Sequence, residues 1–274
     1  MERSRTGITG IFRYRVVPVL LALRCIAPLP SLYGNEGAVV REWQPVVVGS
    51  TVETWRLEWQ VPPEEECDPS GEDWYTCPCS GFAFGERGRL DLVRQVPGRP
   101  EERLHLSPLF APGFDGEAVA RLSRWPVRDG DMDRMDEAGF STMVKSRPVV
   151  RIMVFADYDR DGRSTEFILQ VGAGPCGHRQ TVLVGISRTN PNLHVFGTVA
   201  HPDTPLVLES QEAWRQFLRS KGRTTVVSLP CGDHGSEFEN DVELVATASG
   251  IRAFHVRYSC GAQRQGRLLE RVEL

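Results

Sequence analysis

Along "TVETWRLEWQV", residues 51–61, the large apolar side chains fall at every second position, Trp55, Leu57, Trp59 and Val61, with Arg56, Glu58 and Gln60 between them. A period of two sends alternate side chains to opposite faces of a strand, so this stretch is expected to be a strand with one buried face. The pattern recurs in "GFAFGERGRLDLVRQV", 81–96, where two apolar runs flank "GERG" and predict a hairpin. "EERLHLSPLF", 101–110, adds a strand through Leu104 and Leu106. Between 113 and 147 the alternation fades into one short expected helix at 116–123 and the acidic run "RDGDMDRMDEAG".

Strand-like segments resume with "PVVRIMVFADYD", "TEFILQVG", "TVLVGIS" and "LHVFGTV", rich in β-branched and aromatic residues and punctuated by Gly, Pro and Asn. Four more follow near the C-terminus, "TTVVSLPC", "VELVATAS", "IRAFHVRYSC" and "GRLLERVEL", with "ASGI" a tight turn. One helix is expected near 211–221. Ser210 is its N-cap, Trp214, Phe217 and Leu218 share a face, and Gly222 supplies the stop. The expected fold is mainly β, with antiparallel sheets in two halves: 38–125, carrying a cysteine loop, and 148–274, joined by an acidic linker at 126–147.

Composition narrows the function. At 41% hydrophobic and 25% charged residues the chain has what a folded core needs. Its formal charge of -4 comes without a basic block or arginines interleaved with aromatics, so nucleic acid is excluded as a partner. Residues 1–34 begin with Arg3, Arg5, Arg13 and Arg15, continue through the apolar run Val16 to Leu23 and end in small and proline-rich sequence. That order is a signal peptide, and the run is shorter than the roughly 20 residues a membrane helix needs. The expected location is therefore periplasmic, cell-envelope or extracellular, with no stable membrane span in the mature chain.

Removing the segment that holds Cys25 leaves Cys67, Cys77, Cys79, Cys176, Cys231 and Cys260, an even set suited to disulfides. Spacing does not reveal the pairing. A zinc knuckle from Cys67, Cys77 and Cys79 is the competing reading of "CDPSGEDWYTCPC".

The chemistry concentrates in "DYDRDGRSTEF", 157–167. Calcium needs six to eight oxygens, and a loop supplies them when alternate carboxylates converge around a glycine turn. Asp157, Asp159 and Asp161 stand at positions one, three and five, with Gly162 at six. Arg163 would offer its backbone carbonyl and Thr165 its hydroxyl or a bridging water. Position twelve, a bidentate glutamate in an EF-hand, is Ile168 here, and Glu166 is the natural substitute if the loop closes early. The segment resembles the DxDxDG calcium loops of EF-hand-like and FG-GAP-type repeats, the latter also lying between strands. "CPCSGFAFGERGRLDLVR" and "PCGDHG", with this loop, resemble a group of uncharacterised bacterial exported proteins, a resemblance that implies no mechanism. The alternative to a metal loop is a solvated acidic turn.

For an enzyme the sequence offers less. It has no G-x-S-x-G elbow, Walker loop or G-x-G-x-x-G fingerprint. A metal-dependent hydrolase using His201, Asp233 and His234 is the alternative to an exported calcium-binding protein that binds a protein or glycan ligand or serves a structural role.

Overall fold

The computed structural model describes residues 37–68, 79–110, 118–128, 130–134, 137–174, 178–220, 223–261 and 266–274. The expected signal segment, Cys77 and Cys176 lie outside the described residues. What is described is mainly β, in four antiparallel sheets.

The first sheet has the order β1-β2-β5-β6: β1 (Val39–Val48), β2 (Thr51–Trp59), β5 (Leu90–Gln95) and β6 (Glu102–His105). The period-two reading of β2 holds, because Trp55, Leu57 and Trp59 are fully buried and pack with Leu90 and Leu92 of β5. Val61 lies past the end of the strand and is exposed. The opposite face of this sheet is also covered, by an arginine and carboxylate lattice. Arg56 Nε donates to Glu58 Oε1 at 2.6 Å, and Arg103 Nη1 reaches Glu58 Oε2 at 3.0 Å and Asp91 Oδ2 at 3.1 Å.

"GERG" is not a hairpin turn. It is itself β4 (Gly85–Gly88), the centre of a second sheet between β3 (Glu64–Glu66) and β7 (Ala120–Ser123). Close approach, rather than a turn, demands the glycines: a Cβ on Gly85 would lie 2.5 Å from the Phe82 carbonyl oxygen. The described end of the expected 116–123 helix is β7, because Ala120 and Leu122 are core positions of a strand paired with β4.

The third sheet, β10-β9-β8, comprises β8 (Glu166–Ala173), β9 (Arg179–Gly185) and β10 (His194–Val195). The fourth is a meander of β11 (Arg223–Leu229), β12 (Phe238–Thr247), β13 (Gly250–Ser259) and β14 (Leu268–Glu273). Thr247 pairs with Gly250 across the expected tight turn, and Gly250 has φ +125°. The segment 148–155 was expected to be a strand and is not one. Side chains of β1 take its backbone groups instead: Ile152 N donates to Glu42 Oε2 at 2.7 Å, and Arg41 donates to the Val150 carbonyl at 3.1 Å.

The largest core draws Trp55, Leu57 and Leu92 together with Phe167, Leu169, Val182 and Val184, so strands from either side of the acidic segment share one interior. A second core is closed by α2 (Gln211–Arg219), whose Trp214 and Phe217 pack on Leu183, Leu244 and Ile251. Ser210 Oγ accepts from Glu212 N at 3.1 Å, the expected cap. The acidic segment itself holds α1 (Phe140–Lys145), packed on Phe84. In the same segment, buried Asp131 accepts from both Arg147 terminal nitrogens at 2.6 and 2.8 Å, which with burial opposing brings its pKa down to about 2.

Two disulfides are formed, Cys67–Cys79 and Cys231–Cys260, with Cα separations of 4.9 and 5.5 Å. The first consumes two of the three thiols that a zinc knuckle would need, so that reading is withdrawn. No helix among the described residues is long and apolar enough to cross a membrane.

Candidate metal site

The loop before β8 is closed at its base, where Ala156 N donates to the Glu166 carbonyl at 2.9 Å. Because β8 begins at Glu166, the loop ends two residues sooner than an EF-hand loop, and Ile168 at position twelve belongs to the strand. Two residues with left-handed backbone fold the loop back on itself: Gly162 at φ +88° and Arg160 at φ +62°. The glycine takes that conformation without penalty, whereas the arginine pays roughly 1–2 kcal/mol. Arg160 also donates to the carbonyls of Phe217 and Leu218 at 3.2 and 3.1 Å, a cation placed at the end of α2 where the helix dipole is negative.

This geometry brings Asp157, Asp159 and Glu166 together, each with a carboxylate oxygen within 4.8 Å of the others. Glu166 is wholly buried, Asp159 is buried and Asp157 is half-buried. Backbone donors hold them in place. Gly162 N donates to Asp157 Oδ2 at 3.1 Å, Asp161 N to Asp159 Oδ1 at 3.0 Å, and Tyr158 N to Glu166 Oε2 at 2.8 Å. The Thr165 hydroxyl lies 2.6 Å from Glu166 Oε1 and 3.0 Å from the Ile186 carbonyl.

One oxygen has no donor: Asp157 Oδ1 is buried without a hydrogen-bond partner. No lysine or arginine among the described residues forms an ion pair with any of the three carboxylates. The electrostatic consequence is large. Burial first, then the neighbouring charges of Asp161 and Asp157, pushes Asp159 up to about 6. Burial, then Asp159 and Asp161, pushes Glu166 up to about 8 against the hydrogen bonds that favour its anion.

The remaining residues of the expected ligand set sit differently. Asp161 is outside the group of three, and its oxygens accept from Arg163 N at 2.8 Å and Arg188 N at 2.6 Å, tying the loop to the turn after β9. Arg163 anchors that contact through its N–H, and Thr165 is fully buried beside Glu166. The Arg188 contact, 27 positions away in sequence, leaves no local signal that inspection of the loop could find.

Chemically the cluster is a set of hard oxygen donors, the type that calcium takes. Of the residues in the hydrolase alternative, His201 is exposed and Asp233 is half-buried, and neither belongs to any metal-ligand group among the described residues. The side chain of His234 lies outside what is described. Compared with protein-family models, curated proteins and solved structures, the chain matches none.

Proposed function

We propose that Asp157, Asp159 and Glu166 hold a calcium ion, completed by Asp161, the Arg163 carbonyl and Thr165, and that the ion stabilises a strand-loop-strand unit in an exported protein. Its role is binding a protein or glycan ligand, or structural work, at the cell envelope. The observation that carries the reading is the trio of converging carboxylates, two of them buried, with no ion-paired arginine or lysine among the described residues and one orphaned oxygen. Carboxylates in that arrangement repel one another until a positive charge joins them. Calcium fits better than magnesium, because a loop of mixed carboxylate, carbonyl and hydroxyl donors suits a flexible coordination shell and not a strict octahedron.

Two disulfides and an even set of cysteines outside the N-terminal segment support export to an oxidising compartment. Mass spectrometry of the protein recovered from its host tests that part. A mature chain starting near residue 35 with no free thiols is expected, and an intact reduced chain would exclude it.

Thermal unfolding of the oxidised protein in millimolar calcium, in magnesium and in chelator tests the site. A ligand that binds only the native state raises its stability. The midpoint should rise in calcium, rise less in magnesium and stay put in Asp159→Asn. An unchanged midpoint in calcium would leave the loop an acidic turn.

A further inference from the structure

A cleft of about 780 Å³ borders the acidic loop at Tyr158, with none of the three clustered carboxylates in its lining. Consecutive residues of two strands line it, Leu122 and Ser123 of β7 and Ile168, Leu169 and Gln170 of β8. Neighbouring residues of a strand point to opposite faces, so a strand contributes them together only by presenting its edge. Both strands are terminal in their sheets, β7 bonded to β4 and β8 to β9.

The lining has two chemical parts. Phe82, Trp125, Ile152 and Val154 give it an apolar wall, and Val154 is 57% exposed, a large hydrophobic surface left uncovered. Around that wall stand Arg128, Arg151, Arg179 and Arg215, and no Asp or Glu among the described residues lines the cleft. Arg151 donates to Gln44 Oε1 at 2.6 Å, and Arg215 lies 3.7 Å from Glu212 on its own helix. Arg128 and Arg179 form no ion pair among the described residues. In a chain of net charge -4, four arginines and no carboxylate among the described lining residues make this lining locally basic, with Asp131 beside Arg128, whose backbone N–H it accepts at 2.6 Å. A cleft lined by one sign over apolar walls concentrates its field on whatever enters. The volume falls within the roughly 300–1,000 Å³ of small-molecule sites.

We infer that this cleft binds an amphipathic organic anion. The apolar body lies against Trp125, Ile152 and Val154, and a carboxylate or phosphate is held by the arginines, whose planar donors fit both groups. The inference does not rest on calcium: none of the three clustered carboxylates lines the cleft.

The test is displacement of 8-anilinonaphthalene-1-sulfonate from the oxidised protein by dodecanoate, dodecyl phosphate and dodecyltrimethylammonium. It is run in chelator, below micelle formation. The two anions should compete saturably, and whichever binds more tightly identifies the head group. The cationic homologue should be weaker by about tenfold or more. Arg128→Glu with Arg179→Glu should reverse that order. Val154→Asp, a change at an exposed position that leaves the unfolding midpoint unaltered, should weaken both anions about tenfold. Asp159→Asn should leave the titration unchanged while abolishing the calcium shift, so failure of one reading is separable from failure of the other. Equal affinity for anionic and cationic head groups, affinity unaltered by the charge reversals, or no saturable displacement would each overturn the inference.

Discussion

Glu53, Glu58 and Asp91 in the first sheet and Asp159 and Glu166 in the loop are carboxylates buried to the same degree, yet they meet that burial in opposite ways. Each of the first three lies on an arginine supplied by another strand of the same sheet. Arg94 reaches Glu53 at 2.6 and 2.8 Å, and Arg103 bridges Glu58 and Asp91. There the guanidinium of Arg94 is held above its ordinary pKa, chiefly by the hydrogen bond to Glu53. In the loop no arginine or lysine among the described residues forms an ion pair with the trio, and the pKa values of Asp159 and Glu166 are displaced upward. Burying a charge is tolerable only when it is paired, so the sheet is complete by itself and the loop is complete only with a proton or a metal.

The sharpest way to break this contrast is in the sheet. Arg94→Met strands Glu53 as an uncompensated buried charge and should lower stability by about 3–5 kcal/mol in chemical denaturation. A loss no larger than that of a surface pair would show that this pair is peripheral.

Next comes the loop, where calcium at 100 times its Kd should add about 2.7 kcal/mol to the wild-type protein. Glu166→Gln should remove that increment while leaving the metal-free protein as stable as before or more so, since a proton already sits on Glu166 at neutral pH. Destabilisation of the metal-free variant comparable to Arg94→Met would mean that the two sites are alike after all.

Smaller is the pH effect. Glu166 has a folded pKa near 8 against an ordinary value of 4.5, so on raising the pH the unfolded chain loses this proton first. Its contribution to metal-free stability is fully present below 4.5 and is lost as the pH climbs through about 8. Calcium bound through Glu166 would have to displace the same proton, so on the proposed function the stabilisation by calcium should grow across that interval. Midpoints measured from pH 5 to 9, with calcium and with chelator, should converge at the acid end. Parallel curves would remove Glu166 from the ligand set.

Least of all should an exposed pair matter. Arg87 and Glu64 meet at 2.9 Å with side chains 39% and 71% exposed, and Glu64→Gln should change stability by no more than about 1 kcal/mol.

The residue pattern alone determined the β class, the buried face of β2 at Trp55, Leu57 and Trp59, the α2 helix with its Ser210 cap, and the acidic loop, because each depends on neighbours within a few positions of the chain. It misread "GERG" as a turn and 148–155 as a strand. Glycine signals a close approach as readily as a turn, and an apolar stretch does not reveal whether its backbone pairs with another strand or with side chains such as Glu42. Which carboxylates acquire an arginine, that Asp161 turns toward Arg188, and that four arginines gather around a cleft at two sheet edges were decided only by the tertiary structure. The physical reason is the same in each case: an ion pair or a cleft is made between side chains far apart in sequence, and the packing of the sheets sets their distance.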